Sequence, residues 1–475
     1  MAGLEQLNRR GARRLLAVPA ALLAVLLSSC AGDNITVVEQ TQLPTESEAT
    51  STEESADDRD WEALMEAVPG LQPQADTFAP VAIDSDHAAG DALTVRVDAA
   101  DYEAAPAEDA TDWSHENVGL SFELRELNDP RWNPDESNLD LVIGALEKPA
   151  LRFGGNSADR RVWFTESNEP APEWSDITLT PEHFENLGRF AEETDASVSL
   201  VLVLGRYDAE RAASMARVAK EHLGDRLVGV TIGNEPNGFY SESRPERTVR
   251  DNTWGVNSYV EELLAYVEAV HEEVPGLPIA GPGTFDPAWW DAFLEADIDH
   301  TAALTQHWYP LWSCPGRPSG GERKAEPLVE NLVTPLIHSR AISAVGKAVD
   351  EADAAGLPMW LEETGPTACS GSNETSRTHA QALWTVDFVL NIAHRGVDRA
   401  AFHSMIDACS GGAPMSAVCS VGEMGDASAE LTGQANFLAL MFASQVDEGE
   451  FVPVQLEELI TPLRMRCAPN LGLIW

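Results

Sequence analysis

Two glutamates stand at the ends of short apolar segments, where a carboxylate can act on a bound substrate. Glu235 follows the apolar run Leu227–Gly233, and Glu363 ends the run Pro358–Glu363. Cleavage of an acetal needs one carboxylic acid that protonates the leaving oxygen and a second carboxylate that faces the anomeric carbon. A separation of about 5–5.5 Å retains the anomeric configuration, whereas about 6.5–9.5 Å leaves room for a water and inverts it. The sequence therefore holds a candidate acid–base pair for glycoside cleavage, provided that the fold brings the two glutamates together.

The elements that position these residues repeat one theme from residue 117 onward. A short apolar run ends in glycine or a polar residue, and a helical stretch follows it. Eight such runs are predicted as strands: Val118–Leu124, Ala150–Gly154, Val198–Gly205, Leu227–Gly233, Leu277–Gly281, Ala302–His307, Pro358–Glu363 and Arg399–Ser404. The helices are predicted over Pro181–Glu193 (capped by Thr180), Ala209–Leu223, Asn257–Glu273, Leu328–Ala355, Thr375–Arg395 and Ala429–Ser444.

This alternation predicts an α/β fold. Strands without polar alternation that are each followed by a helix favour a parallel sheet that is buried on both faces. Eight such units predict a (β/α)₈ TIM barrel over residues 116–446. A doubly wound open sheet is the alternative, but it would usually show a glycine-rich turn after its first strand, and Gly119–Glu123 is no such turn.

In a barrel of this kind the active-site residues lie at the carboxyl ends of the strands. The predicted strand ends offer carboxylates, amides and aromatic rings and few cations: Glu123, Arg152, Asn156, Asp159, Asn234, Glu235, His307, Tyr309, Trp360, Glu363 and the pair His403-Ser404. Such a ring of side chains suits an uncharged polyhydroxyl substrate. A metal-dependent hydrolase is disfavoured because no strand end carries a histidine pair, so we expect neither a metal nor a cofactor.

The motifs at these strand ends resemble those of the clan A retaining glycoside hydrolases, in which an Asn-Glu-Pro on strand four accompanies a glutamate on strand seven. Within that clan the chain is similar to the heparanase and β-glucuronidase family, glycoside hydrolase family 79. The matching stretches are Leu120–Glu123, Leu151–Asp159, Gly233–Asn237, His307–Tyr309 and Trp360–Thr364. The resemblance extends over about residues 117–405 and does not cover residues 1–110.

The resemblance implies a role for each matching residue. Glu235 is the acid/base, and Glu363 is the nucleophile because the family's nucleophile directly precedes a threonine or a similar residue. Strand parity also predicts that Glu362 and Glu363 point to opposite faces, so that only one enters the site. The implied substrate and nucleophile contacts come from Asn234 (the sugar 2-hydroxyl), Tyr309, Arg152, Glu123, Asp159, His307, Asn156 and Trp360. For Arg152 a barrel-interior ion pair, and for His307 a packed strand position, are the alternatives.

Two departures from the family pattern bear on specificity and architecture. The loop after the nucleophile, Gly365–Gly371, has Ala368 near the place of an aromatic residue, so both a uronic acid and a neutral sugar remain open. The candidate replacement cations for a uronate are Arg160, Arg206 and Arg377. After Ser444 too few residues remain for the family's β-sandwich, and only Leu93–Val97 and Val452–Leu456 offer strands. We therefore expect the side domain to be incomplete or absent.

The chain ends predict export and a lipid anchor. Residues 1–29 combine a basic segment, a short apolar run and small residues, which is typical of a signal peptide, and Cys30 stands where a lipoprotein is cut and lipidated. An ordinary signal peptide is the alternative. Residues 30–60 are predicted as an acidic, disordered tether, residues 61–115 as an extension with one or two strands, and residues 447–475 as the remnant of a β side domain.

The charge balance restricts the partners. Lys and Arg number 31 and Asp and Glu 78, giving a net charge of -47. Nucleic acid is excluded because phosphate binding needs a cationic surface. We expect an oligo- or polysaccharide substrate and membrane contact only through the lipid. The protein is expected to be exported and either anchored to the outer face of a bacterial cytoplasmic membrane or secreted. The rival function is a non-catalytic carbohydrate-binding surface lipoprotein on the same barrel.

The cysteines suggest disulfides, which export permits. Cys314 follows strand six and Cys369 follows strand seven, so a bridge between them would join two loops at the rim of the site. Cys409 and Cys419 are candidates for a second bridge after strand eight. Unpaired loop thiols are the alternative for both pairs.

Overall fold

The computed structural model describes residues 33–37, 90–97, 111–167, 169–314, 323–369, 375, 378–406, 416–421, 430–451 and 454–457. The predicted signal peptide, Cys30, Arg377, Cys409 and most of the predicted tether lie outside these residues. The chain divides into two compact units, one made of residues 1–57, 80–114 and 446–475 and the other of residues 58–79 and 115–445.

The larger unit is a closed barrel of eight parallel strands, as the sequence predicts. The strands are β1 (Gly119–Glu123), β2 (Ala150–Gly154), β3 (Ser197–Leu202), β4 (Leu227–Ile232), β5 (Ile279–Gly281), β6 (Thr301–Trp308), β7 (Met359–Thr364) and β8 (Arg399–Ser404). They lie side by side in chain order, and β8 pairs with β1 to close the barrel. The fold is thus a (β/α)₈ barrel.

In the described part of the chain ten helices accompany the strands, and five of them begin at a Thr or Asp whose side chain caps the helix. They are α1 (Leu139–Gly144), α2 (Ala158–Arg161), α3 (Pro181–Glu193), α4 (Ala209–Leu223), α5 (Val256–Glu273), α6 (Pro287–Glu295), α7 (Val329–Leu332), α8 (Pro335–Ala355), α9 (His379–Arg395) and α10 (Ala435–Ser444). Thr180 and His183 form the reciprocal capping pair of α3. No helix among the described residues combines the length and apolarity that crossing a membrane requires.

One predicted helix is broken in two. The sequence predicts a helix over Leu328–Ala355, but α7 ends at Leu332 and α8 starts at Pro335. Proline cannot donate an N–H to a preceding turn, and it is well suited to the first position of a new helix. Thr334 caps that new helix by accepting a hydrogen bond from the N–H of Ile337 at 3.3 Å.

The apolar core lies between the barrel and its helices, whereas the barrel interior is partly polar. Outside the barrel, Phe122 and Phe153 each pack against Trp132 with ring centroids 4.8 Å apart, and Trp132 contacts Phe190 of α3 at 4.9 Å. Inside it, the buried polar side chains include Ser121, Arg152, Ser199, Thr231 and Glu362. Buried polar groups must find partners in one another, and this requirement shapes the site.

The smaller unit contains β-structure from both sides of the barrel sequence. Gly90–Val97 pairs in parallel with Asp33–Val37 and antiparallel with Val454–Glu457, and Asp112–Trp113 pairs antiparallel with Gly449–Glu450. The strand Asp33–Val37 falls inside the segment predicted to be a disordered tether, so that prediction is wrong for these five residues. Their sequence includes Ile, Thr and Val, whose β-branched side chains favour an extended conformation.

Candidate active site

Arg152 of β2 lies at the centre of the site. Its guanidinium is fully buried and donates to Glu363 Oε2 at 2.8 Å, to Asn234 Oδ1 at 2.7 Å and to Ser121 Oγ at 3.1 Å. Its Nη2 also lies 3.3 Å from His307 Nε2. Arg152 therefore does form the barrel-interior ion pair that was its alternative role, and its partner is the predicted nucleophile. One rigid cation fixes side chains from β1, β4, β6 and β7 at the same time.

Glu363 is a buried carboxylate that the site keeps ionised. Besides Arg152, it accepts a hydrogen bond from the Tyr309 hydroxyl at 2.9 Å. Burial acts to raise the pKa of Glu363, but its electrostatic interactions with His403, His307 and Arg152 and the Tyr309 hydrogen bond outweigh it, and the pKa lies well below its usual range. Burial, and next the negative charge of Glu363, raise the pKa of the Tyr309 hydroxyl well above its usual range, so it remains a hydrogen-bond donor.

A β-bulge in β7 changes the expected direction of its two glutamates. Gln306 of β6 pairs with Leu361, and the next residue, His307, pairs with Glu363, so Glu362 is an extra residue in the strand. Glu362 points into the barrel, where it accepts a hydrogen bond from Thr231 Oγ1 at 3.1 Å. Both glutamates thus face inward, and the parity prediction is wrong because regular alternation is interrupted at the bulge.

Glu235 lies across the pocket from Glu363 in a strained backbone conformation. Its φ of 48° and ψ of 57° are in the left-handed region, which non-glycine residues rarely adopt. The strain is held by Pro236, which begins a 3₁₀ turn, and by the Glu235 N–H, which donates to Gly283 O at 3.1 Å. An oxygen of Glu235, an oxygen of Glu363 and a ring nitrogen of His307 all lie within 4.8 Å of one another. Glu235 is the more accessible carboxylate, with 26% of its side chain exposed against 7% for Glu363.

His307 connects the two glutamates, and its neighbours fix its tautomer. Arginine can only donate, so the ring Nε2 that faces Arg152 must be the acceptor. The proton of a neutral His307 then resides on Nδ1, which lies 3.3 Å from Glu235 Oε1 and 3.8 Å from Glu363 Oε2. His307 is almost fully buried, so its packed strand position and its contact with Glu235 are both present.

Asn234 has a donor that is not used within the protein. Its Oδ1 accepts from Arg152, and its buried Nδ2 has no hydrogen-bond partner. A buried amide without a partner costs free energy unless a ligand satisfies it. Asn234 immediately precedes Glu235, so this donor is placed beside the candidate acid.

Asp159 does not contact the pocket, contrary to the role implied by the resemblance. It is fully buried, and its carboxylate accepts hydrogen bonds from the N–H groups of Leu204, Gly205 and Asn234 at 2.7, 2.7 and 2.8 Å. Burial raises its pKa, and these three donors act in the opposite direction. Asp159 ties the end of β3 to the turn that carries Glu235, so it is a positioning residue rather than a ligand for sugar hydroxyls.

Glu123 lies at the end of β1 next to a histidine that sequence reasoning did not assign. Glu123 Oε2 accepts from the Ser157 N–H at 2.7 Å, and its Oε1 lies 3.8 Å from Nε2 of His403 on β8. Gly155, at φ 70°, allows this approach, because a Cβ there would lie 2.5 Å from the Glu123 carboxyl carbon. His403 was recognised at a predicted strand end but given no role, and its buried Nδ1 has no hydrogen-bond partner.

Trp360 and Asn156 are not seen to join the cluster. Trp360 pairs with Arg399 at the start of β8, and its ring lies 5.5 Å from the Arg399 guanidinium and 3.4 Å from a Cβ built on Gly229. Because Glu362 is the extra residue of the bulge, Trp360 lies two ladder positions, or about 7 Å, before Glu363 along the strand. The structure thus places Trp360 beside Arg399 and Gly229, and its substrate contact stays a prediction. Asn156 is partly exposed after β2, and its carbonyl accepts a hydrogen bond from Arg160 at 3.3 Å.

The loops after β6 and β7 are joined at the rim. Cys314 and Cys369 form a disulfide with Cα atoms 5.3 Å apart, which confirms the predicted pairing. The N–H of Ala368 donates to Leu311 O and that of Cys369 donates to Thr367 Oγ1, so neither is free to bind a carboxylate. Cys419 is disulfide-bonded, but Cys409 lies outside the described residues, so the second pairing stays a prediction.

The comparisons with known proteins concern the fold. No protein-family model and no curated protein matches the chain. Among solved structures, a 4-O-α-L-rhamnosyl-β-D-glucuronidase from Fusarium oxysporum is similar at 19% identity and a TM-score of 0.56, over 72% of this chain and 71% of that one. A family 51 α-L-arabinofuranosidase from Bifidobacterium longum is similar at 14% identity and a TM-score of 0.51, over 74% of this chain and 76% of that one. A family 51 α-L-arabinofuranosidase from Thermotoga petrophila is similar at 16% identity and a TM-score of 0.51, over 77% of this chain and 76% of that one.

Proposed function

We propose that this protein is a retaining glycoside hydrolase that cleaves β-linked glycosides. The observation that carries the proposal is the pair of carboxylates at the ends of β4 and β7, with oxygens of Glu235 and Glu363 within 4.8 Å of each other. The similarity of the barrel to those of a β-glucuronidase and two arabinofuranosidases supports it. The proposed family remains that of heparanase and β-glucuronidase.

The two glutamates are suited to different tasks because their surroundings differ. Glu363 stays ionised between Arg152 and Tyr309, so its carboxylate attacks the anomeric carbon. Glu235 is more exposed and contacts His307, and it protonates the leaving oxygen. The result is a covalent glycosyl-enzyme ester. Glu235 then removes a proton from water, which attacks the same carbon and releases the sugar and Glu363.

The spacing of the carboxylates supports retention. An inverting enzyme must place a water between its carboxylate and the anomeric carbon, which requires about 6.5–9.5 Å between the two carboxyl groups. One oxygen of each carboxylate lies within 4.8 Å of the other, and this close approach favours direct attack by Glu363 over attack by an intervening water. The unused Nδ2 of Asn234 is proposed to donate to the sugar 2-hydroxyl, where bonds that strengthen in the transition state add to catalysis.

Substitution of the two glutamates tests the proposal. Glu363→Gln and Glu235→Gln should each abolish measurable hydrolysis of aryl glycosides with unchanged circular dichroism. The matched control is Glu362→Gln, which alters the adjacent inward-facing glutamate and should retain activity. The substrates are the aryl β-glucuronide, β-glucoside, β-galactoside and β-xyloside, and an aryl α-L-arabinofuranoside. Full activity of Glu363→Gln would refute the assignment, and sugar binding without hydrolysis by the wild type would favour the carbohydrate-binding alternative.

A further inference from the structure

A second cavity lies on the same face of the barrel, between the loops that follow β2 and β3. Its volume is about 280 Å³, and it is lined by Trp163, Phe164, Trp174, Arg206, Tyr207 and Arg211, among others. This is slightly less than the ~300 Å³ at which small-molecule sites begin, which suits one sugar ring rather than a whole oligosaccharide.

The walls of this cavity present aromatic rings. Trp163 and Trp174 lie 6.0 Å apart with their planes at 78°, and Tyr207 is 56% exposed. The indole N–H of Trp163 is buried without a hydrogen-bond partner. Aromatic faces combined with an unsatisfied donor are suited to a ligand that has both an apolar face and hydroxyl groups.

The two arginines of the cavity differ in their charge balance. Arg211 is neutralised by Asp208 at 2.9 Å and by Glu169 at 2.7 Å. Arg206 forms no ion pair with any residue that the structure describes; its guanidinium lies 5.8 Å from the Trp174 ring. In a chain with 78 acidic and 31 basic residues, an arginine without a carboxylate beside a cavity indicates an anionic ligand.

Hydrogen bonds of Asp159 connect the segment before Arg206 in the cavity to the turn that carries Glu235. Asp159 binds the N–H groups of Leu204 and Gly205, directly before Arg206, and also the N–H of Asn234, directly before Glu235. Moreover, four of the five exposed aromatic side chains of the described residues lie in the loops after β3 to β6, namely Tyr207, Tyr240, Phe285 and Trp312, whereas the fifth, Phe442, lies on α10. This face therefore offers stacking surfaces well beyond a single sugar position.

We infer that the cavity is a subsite for a carboxylate-bearing sugar unit of an oligosaccharide substrate, with Trp174 and Tyr207 contacting the ring, the Trp163 indole N–H donating to a hydroxyl and Arg206 binding the carboxylate; the Trp163 ring itself is covered by the Arg211 guanidinium, 3.6 Å from its centroid. This inference rests on the proposed function: the cavity is a substrate subsite only if a glycosidic bond is cleaved between Glu235 and Glu363. Of the three cations suggested by the sequence, Arg160 is occupied by the carbonyls of Asn156, Gly238 and Arg247, and Arg377 lies outside the described residues.

The test is a binding measurement that does not depend on hydrolysis. The full chain carrying Glu363→Gln is titrated with methyl β-D-glucuronide and with methyl β-D-glucoside, which differ only in the carboxylate. The readout is the ¹⁵N–¹H signal of the Trp163 indole, assigned by its loss in Trp163→Phe. We expect this signal to shift with the glucuronide at concentrations at which the glucoside has little effect.

Substitutions then separate the contributions. Arg206→Gln should weaken glucuronide binding at this signal about tenfold, the loss of one charge-assisted contact. The matched control is Arg226→Gln, an exposed arginine paired with Asp195, which should leave it unchanged. No shift of the Trp163 signal, or an equal response to both sugars that Arg206→Gln does not alter, would overturn the inference. If the wild type hydrolyses no glycoside while these shifts persist, the proposed function fails and the sugar subsite stands.

Discussion

Arg152 determines the chemical state of the site. A fully buried guanidinium must be paired, and here its nearest carboxylate is that of Glu363 at 2.8 Å. Because the folded pKa of Glu363 lies below its ordinary value, its ionised form stabilises the folded protein above about pH 4–5, and this contribution is lost as the pH falls through the folded pKa. The nucleophile therefore remains ionised throughout the neutral range.

Tyr309→Phe tests how the nucleophile is kept ionised. The substitution removes the 2.9 Å hydrogen bond to Glu363, so the pKa of Glu363 should rise. The acid limb of kcat/KM should then move to higher pH by about one unit. The control is Tyr259→Phe, which removes a buried hydroxyl that has no hydrogen-bond partner and should leave the pH profile unchanged. An unshifted acid limb in Tyr309→Phe would show that this hydrogen bond does not set the ionisation.

Arg152→Met should leave the Glu363 carboxylate buried and unpaired. We expect a loss of about 3–5 kcal/mol in the free energy of unfolding at pH 7, and a smaller loss at pH 4, where Glu363 takes up a proton. The double variant Arg152→Met/Glu363→Gln should recover part of the loss, because no unpaired charge remains. Urea unfolding at the two pH values measures this, and equal losses in the single and double variants would contradict the account.

At the level of single residues, sequence reasoning found the chemistry but not every role. Glu235, Glu363, Tyr309 and Arg152 converge because each stands at or near a strand end, which the apolar pattern reveals. Asp159 was assigned to the substrate because its motif gives its place in the chain, whereas its three N–H donors come from segments about 45 and 75 residues further on. Such contacts depend on tertiary packing, which a motif does not encode.

Two features of the strands and loops position the carboxylates: a β-bulge in β7 and the hydrogen bonds of Asp159. The bulge at Glu362 lets both Glu362 and Glu363 face inward, and Asp159 fastens the β3 and β4 ends together. Neither device has a signature in the sequence, since a bulge inserts a residue without a change in composition. The strands themselves were predictable because buried parallel strands are apolar runs, and several helices because a Thr or Asp cap, in three cases followed by Pro, marks their first turn.

Asp159→Asn tests the positioning role of this carboxylate. An amide can accept from one side only, so its NH₂ group must face either the Asn234 N–H, which makes one contact repulsive, or the N–H groups of Leu204 and Gly205, which makes two repulsive. We expect a loss of about 1–3 kcal/mol in stability and a fall in kcat that exceeds any change in KM, because the Glu235 turn moves. Asp176→Asn, which alters an exposed ion pair with Arg161, is the control. A stability loss with unchanged kcat would show a structural role alone.

On the scale of the whole molecule, the barrel sequence is accompanied by segments that predict where the protein is located. We propose that Cys30 is lipidated and that the protein is held on the outer face of the membrane. Cys30→Ala should move the protein from the membrane fraction to the soluble fraction of fractionated cells, without a change in the activity of the purified protein. Persistence of Cys30→Ala in the membrane fraction would contradict the anchor, and loss of activity would point to a role in the fold.

The anomeric configuration of the first product tests the central claim most directly. ¹H NMR, recorded before mutarotation, follows the hydrolysis of whichever aryl β-glycoside of the panel is cleaved fastest. If Glu235 and Glu363 act together on one anomeric carbon at the separation seen in the structure, the β-anomer appears first. First appearance of the α-anomer would mean that a water, and not Glu363, attacks the sugar, and would contradict the account.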